Sequence, residues 1–354
     1  LGSRFSRSLQ ARRDELYLAG VSVLAERRKF GPQYSGTLNY IISRASGQDA
    51  ENSGNGMLRA GTILPTGGDL NVRAGINASN PGGGTNTFYT SQTGIDLRQP
   101  LLAGAGYEAS HSSLIQAEQN LLYAVRSFTL ERQDFTIGIL RDYYELLRKK
   151  AVVLNTEKNA EQAEFLRKRS EALFKIRKAT AMDVMRSQQQ ELSAINRLEL
   201  ARSSFDIAVK RFLIELGIPT DTETTIVGDI PELTPVGMQM EDCINTALAM
   251  RLDLQTEKDR VDDARRNLRT ARNAMLPELS ITGSATLRGE AEDSFPSEDT
   301  ETELSAGAEL ALPLDKRNER DAVTRALIAL KRSQRNLEQK HDEIEVQIIE
   351  SFRL

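Results

Sequence analysis

The residues able to do chemistry in this 354-residue chain are few, and their spacing gives them little to do. The two histidines, His111 and His341, lie far apart with no cysteine or carboxylate at ligand spacing, so no metal site is expected. The single cysteine, Cys243, forms no internal disulfide and does not choose a compartment. Two glycine runs, Gly82 to Gly84 and Gly104-Ala105-Gly106, lack the strand–loop–helix context and the Lys-Ser/Thr pair of a phosphate loop. No Ser–His–Asp, Cys–His or paired-carboxylate arrangement has supporting context, so no catalytic residue and no cofactor are expected. What stands out is one short segment. Arg167, Lys168, Arg169, Lys175, Arg177 and Lys178 concentrate positive charge just before Thr180-Ala181-Met182-Asp183, whose spacing is that of a capping box opening a new helix.

The elements on either side explain why a turn belongs there. From about residue 103 to 176 the chain has no proline, and Leu114, Leu121, Val125, Phe128, Phe135, Ile139, Leu146, Val153 and Ala160 keep one apolar stripe at a period near 3.5. A second stripe runs beside it through Leu122, Leu140, Tyr143, Leu147 and Leu154, so this helix needs partners on two sides, as in a ring. A following helix carries Met185, Leu192, Phe205, Val209, Phe212 and Leu216, and Gly217-Ile218-Pro219 closes it. A linker with Pro219, Gly228, Pro231, Pro235 and Gly237 leads to a further helix expected over 240–275. About 74 residues at 1.5 Å each reach roughly 110 Å, and two segments of about 36 cover the same distance back.

What flanks the helices alternates with period two. Leu279, Ile281, Gly283, Ala285 and Leu287 interleave with Ser280, Thr282, Ser284 and Thr286; Leu304, Ala306, Ala308 and Leu310 do so with Ser305, Gly307 and Glu309. Tyr34 to Ile42 and Leu70 to Ala78 show the same pattern. One apolar and one polar face per strand suits a barrel. The chain also repeats. Lys29-Phe30-Gly31-Pro32-Gln33-Tyr34 lines up with Ala274-Met275-Leu276-Pro277-Glu278-Leu279, and Leu97-Arg98-Gln99-Pro100-Leu101 with Leu310-Ala311-Leu312-Pro313-Leu314. The first strand region is longer by about 32 residues, with an extra hairpin expected around Pro65-Thr66-Gly67-Gly68 and a loop at Pro81 to Gly84.

Composition limits the alternatives. Aromatic residues are only 5% and Trp is absent, which excludes large ordinary cores; charged residues reach 27% with a net charge of only -4, so neither nucleic acid nor an anionic surface is implied as a partner. No stretch approaches the roughly 18 to 20 apolar residues of a spanning helix, so any crossing must be by strands.

The junctions Ala271 to Ser280 and Leu312-Pro313-Leu314, with the turn Leu173 to Val184, resemble the outer membrane efflux protein family, the TolC-like proteins, in an order that covers most of the chain. The resemblance implies an α+β fold in which long antiparallel coiled-coil helices form an α-barrel and strands contribute to a transmembrane β-barrel. It implies a first repeat over 1–217 (strands about 32–98, helical hairpin 103–216), an equatorial linker over 218–237, and a second repeat over 238–354 (helix 240–275, strands about 278–312, start of a long helix 314–354). The second repeat is expected to stop about halfway along its own long helix, so the chain is expected to be incomplete. By resemblance it is a homotrimeric outer-membrane duct for efflux or type I-like export, its strands in outer-membrane lipid and its helices in the periplasm, working with an inner-membrane pump and a periplasmic adaptor. The adaptor is expected at Ile176, Arg177, Lys178, Ala179 and Thr180, where the family usually places glycine at the position of Arg177. Competing readings are a non-transport coiled-coil scaffold, which leaves two sets of alternating strands unexplained, and the periplasmic adaptor itself, which would have one hairpin and compact β-domains rather than a repeated unit.

Overall fold

The computed structural model describes residues 6–44, 50–80, 86–228, 237–292 and 300–353. In chain order the elements are α1 (Arg7–Arg28), β1 (Gln33–Ser43), β2 (Glu51–Ile63), β3 (Asp69–Asn80), β4 (Phe88–Pro100), α2 (Tyr107–Ser110), α3 (Ser112–Lys175), α4 (Ala181–Leu216), α5 (Met240–Met250), α6 (Leu252–Asn273), β5 (Glu278–Glu292), β6 (Thr300–Ala311) and α7 (Arg317–Arg353). The chain divides into two compact units, Leu1–Leu16 with Ser127–Met238, and Tyr17–Arg126 with Gln239–Leu354. The loop expected at Pro81 to Gly84 and the linker prolines Pro231 and Pro235 lie outside the described residues.

In the second unit all six strands form one antiparallel meander in the order β1-β2-β3-β4-β5-β6. Strands begin after proline at both repeats, β1 after Pro32 and β5 after Pro277, where a missing N–H removes nothing from the ladder. The extra hairpin forms: β2 and β3 are joined by a turn in which Leu64 N–H donates to Gly68 C=O and Gly67 N–H to Leu64 C=O. Gly67 has φ 89, and a Cβ there would sit 2.6 Å from Gly104 O, so only glycine fits. The helices of this unit pack Val23, Leu114 and Ala117 against Phe30 and Leu121.

Two expectations need correction. The helix expected from about residue 103 begins at Ser112; Gly104 and Gly106 take φ of 79 and 91, and a single turn of helix, α2, precedes it. The helix expected over 240–275 is two helices, broken at Arg251, whose backbone is extended (φ -66, ψ 124). Neither proline nor glycine marks this break. Asp253, in the first turn of α6, accepts from the Leu254 N–H at 3.0 Å and from the Arg251 guanidinium at 2.8 and 3.1 Å, and pairs with Lys340 at 3.2 Å.

The same unit contains a buried polar knot. Asp263 and Arg266, both under 10% exposed, pair at 2.8 Å, and the Tyr123 hydroxyl donates to the second Asp263 oxygen at 2.7 Å. Burial first and Asp263 second push the Tyr123 hydroxyl pKa up. Arg126 and Asp259 pair at 2.6 Å close by in sequence. Removing one member of a buried pair leaves the other charge uncompensated, so Asp263→Ala is expected to cost about 3 to 5 kcal/mol. Tyr123→Phe is expected to cost about 1 kcal/mol. Chemical denaturation of the two variants checks the ordering.

Candidate functional site: the strand face and the hairpin turn

Pairing across the sheet sorts side chains into two faces. One row crosses every strand as Tyr34, Ala60, Val72, Ile95, Ala285 and Leu304; the row beside it runs Ser35, Arg59, Arg73, Gly94, Thr286 and Glu303. Burial on these faces is the reverse of a water-soluble sheet. On the inner strands β4 and β5 the apolar-face residues Ile95, Ile281 and Leu287 are 50, 51 and 49% exposed, whereas Ser280 and Thr286 on the polar face are 3% and 7% exposed; the edge strands β1 and β6 are exposed on both faces.

The polar face shields itself with long side chains. Arg73 pairs with Asp96 at 3.1 Å and donates to the Thr286 hydroxyl at 3.3 Å, passing over Gly94, where a Cβ would lie 3.1 Å from the Arg73 Nε. Arg98 donates to the Ser280 hydroxyl at 3.4 Å and reaches Glu309 at 3.8 Å, and the Ser284 and Ser305 hydroxyls share a bond at 2.7 Å. One face of the sheet is thus apolar and largely exposed, and the other is polar and hydrogen-bonded, a pattern that is favourable where the apolar face meets an apolar solvent; that face is called outward below. The strands, 11 to 15 residues long, exceed the roughly 9 to 11 that a tilted spanning strand needs. No described helix is long and apolar enough to cross a membrane.

In the first unit the expected reversal lies between α3 and α4. Arg177 N–H donates to Phe174 C=O at 2.9 Å and Lys178 N–H to Leu173 C=O at 2.8 Å, the paired bonds of a Schellman closure. That closure requires a left-handed residue, and Arg177 supplies it at φ 58 where the resemblance led one to expect glycine. The capping box then opens α4: Thr180 Oγ1 accepts from Asp183 N–H at 3.2 Å, and Asp183 Oδ2 accepts from Thr180 N–H at 3.0 Å. The Thr180 hydroxyl, and after it the Thr180 N–H, hold the Asp183 carboxyl below its ordinary pKa.

Ile176, Arg177, Lys178 and Thr180 are exposed on this turn, and Ala179 is half-buried. The basic cluster before it is partly neutralised within the hairpin, Arg167 pairing with Glu171 at 2.8 Å and Glu191 at 2.6 Å, and Lys168 with Glu164 at 2.6 Å. Sequence reasoning missed the apolar surround. Phe174, Met182 and Met185 flank the turn at 48, 59 and 65% exposed, although Met185, like Leu192, belongs to the expected packing stripe. Farther along, Phe205, Val209 and Phe212 do pack, against Leu146 and Leu147 with Tyr143. His111 is stacked between Phe30 and Tyr107 at centroid distances of 3.9 and 4.1 Å, with its Nδ1 2.8 Å from the Ser110 hydroxyl. Among the described residues no cluster of three or more His, Cys, Asp or Glu could hold a metal.

Residues 243–352 match the profile of the outer membrane efflux protein family. Over that stretch, less than half of the chain, the sequence resembles that family. Similar solved structures include the outer-membrane channel OprN (14% identity, TM-score 0.68, covering 96% of this chain and 68% of that one). VceC of Vibrio cholerae is 13% identical with TM-score 0.65 (97% and 74%), and the open state of the Neisseria gonorrhoeae channel MtrE is 14% identical with TM-score 0.62 (99% and 69%). No curated protein sequence matches. The likeness to these outer-membrane channels is one of fold, and it runs over nearly the whole of this chain.

Arginine placed at a midplane position of the outward face, at Ile95 or Ala285, is expected to cost roughly 2 to 4 kcal/mol of membrane assembly, and arginine at Ser284 or Ser305 far less. Folding titrations into lipid vesicles measure both. At the turn, Arg177→Gly is expected to stabilise by about 1 kcal/mol, by removing a left-handed non-glycine residue, while Thr180→Ala costs about 0.5 to 2 kcal/mol. Because the Asp183 pKa is depressed by folding, its contribution is fully present above the unfolded value of about 3.9 and is lost as pH falls through the lower folded value. Asp183→Asn should remove that acid-range component from the unfolding profile.

Proposed function

We propose that this chain is one protomer of a homotrimeric export duct that receives cargo from an inner-membrane pump through a periplasmic adaptor, and that the adaptor meets the α3–α4 turn at Ile176, Arg177, Lys178, Ala179 and Thr180. The observation that carries the reading is the sheet's polarity: the outward apolar face fits lipid, and the inward face of Arg73, Asp96, Arg98 and Thr286 fits a water-filled lumen. A non-transport scaffold has no use for such a sheet.

The helices favour a ring of copies. On α3 the stripe through Leu114, Leu121, Phe135, Leu146 and Ala160 is buried or half-buried within the chain, whereas Leu122, Leu140 and Leu154 of the second stripe are 39, 52 and 51% exposed. Leu147 and Tyr143 of the second stripe pack within the protomer, so the exposed positions Leu122, Leu140 and Leu154, with Val125 of the first stripe at 43%, are what is left for a neighbouring copy.

The turn suits docking because nothing in its own closure uses Ile176, which is 60% exposed beside Phe174 and Met182. An apolar knob beside a basic residue is a surface for a partner with a small apolar recess and an acidic rim. Ile176→Asp and Arg177→Asp are expected to impair export in cells at least tenfold while trimer abundance in the outer membrane is unchanged. Normal export by both variants would move the adaptor contact elsewhere, and only monomers on cross-linking of native membranes would end the duct reading.

A further inference from the structure

The internal repeat identifies an addition. β1 starts after Pro32 as β5 starts after Pro277, and β4 ends at Pro100 as β6 ends beside Pro313, so β1 and β4 of the first repeat correspond to β5 and β6 of the second. The β2–β3 hairpin has no counterpart. It is nonetheless a full member of the sheet, paired along β1 on one side and β4 on the other. Its turn is tied to the strand-to-helix corner: Gly106 N–H donates to Thr66 C=O at 2.9 Å and Gln99 donates to the same carbonyl at 3.2 Å.

We infer that this inserted hairpin enlarges the barrel, three copies closing eighteen strands through a seam between β6 of one copy and β1 of the next. The inference rests on the trimeric reading above. Six strands are too few to close alone, and among the described residues both edges of the sheet are open along β1 and β6. Unpaired backbone N–H and C=O groups cannot face hydrocarbon, so each edge must find a strand, and in a symmetric ring that strand belongs to another copy. Six is also an even number in an antiparallel meander, so β6 runs opposite to β1 and the seam is antiparallel like every other pair. Three six-stranded sheets give an even, porin-sized barrel of the kind that leaves an aqueous channel.

The edges fit each other in parity. On β6, Leu304, Ala306, Ala308 and Leu310 point outward, and on β1 the outward set is Tyr34, Gly36, Leu38, Tyr40 and Ile42. The lumen side of β6 carries Glu301, Glu303 and Glu309, and the lumen side of β1 carries Ser35, Thr37 and Asn39 with Arg59 one strand beyond. An odd register offset would place the β6 glutamates in lipid, so Glu303 must face an odd-numbered residue of β1.

The experiment uses the full-length protein in native outer membranes with Cys243→Ser. Glu303→Cys is combined in turn with cysteine at Ser35, Thr37, Asn39 and Ile41, and separately at Gly36 and Leu38, followed by oxidation. At least one odd-position pair is expected to give covalent trimers, since Cα atoms of facing residues lie within disulfide range, and neither even-position pair should. Removing residues 51–80 should leave trimers with the same seam and a barrel about two-thirds as wide. Native trimers without a link at any odd position, or a barrel of unchanged width, would overturn the eighteen-strand seam alone. Absence of native trimers would overturn the trimeric reading and this inference with it.

Discussion

A strand in hydrocarbon must satisfy every backbone hydrogen bond and bury its polar side chains away from lipid, and most of this fold follows from that constraint. It accounts for the meander, in which each strand pairs with its sequence neighbour. It accounts for the inverted burial, with Ser280 and Thr286 covered by arginines while Ile281 and Leu287 stand open.

The polar face is specific in a way that alternation alone does not convey. Arg73 spans from Asp96 across Gly94 to Thr286, and the absent Cβ of Gly94 is what lets the guanidinium lie flat. The same logic acts on the outward face, where a large side chain leans over a glycine on the next strand. Leu38 overlies Gly56, whose hypothetical Cβ would be 3.6 Å from the leucine methyl. Large and small residues thus alternate across the sheet, which fixes register without a buried core.

The legible parts of the sequence were those in which one local signal decides the structure. Period two at Leu279 to Leu287 and Leu304 to Leu310, the prolines before β1 and β5, and the Thr180–Asp183 box each needed only neighbours in the chain. β2 was legible only through its turn, because Gly54, Asn55 and Gly56 carry no apolar alternation and become strand by pairing with β1 and β3. The break at Arg251 lacked a proline or glycine, since Asp253, Lys340 and the Arg251 side chain make it through contacts distant in sequence. At the turn, Arg177 gave no sign of a left-handed residue; the paired Schellman bonds impose that conformation. The two stripes on α3 were visible, but which positions of each the protomer packs for itself, Leu146 with Leu147 but not Val125 or Leu140, was decided only by burial.

The central claim is that the outward face of this sheet meets lipid. Single cysteines along β5, from Leu279 to Leu287, each labelled with an environment-sensitive fluorophore in the membrane-assembled protein, can be quenched by lipids brominated along their chains. Strong quenching at Leu279, Ile281, Ala285 and Leu287, with little at Ser280, Thr282, Ser284 and Thr286, is the expected period-two result. Equal quenching at both sets, or none at either, would contradict it.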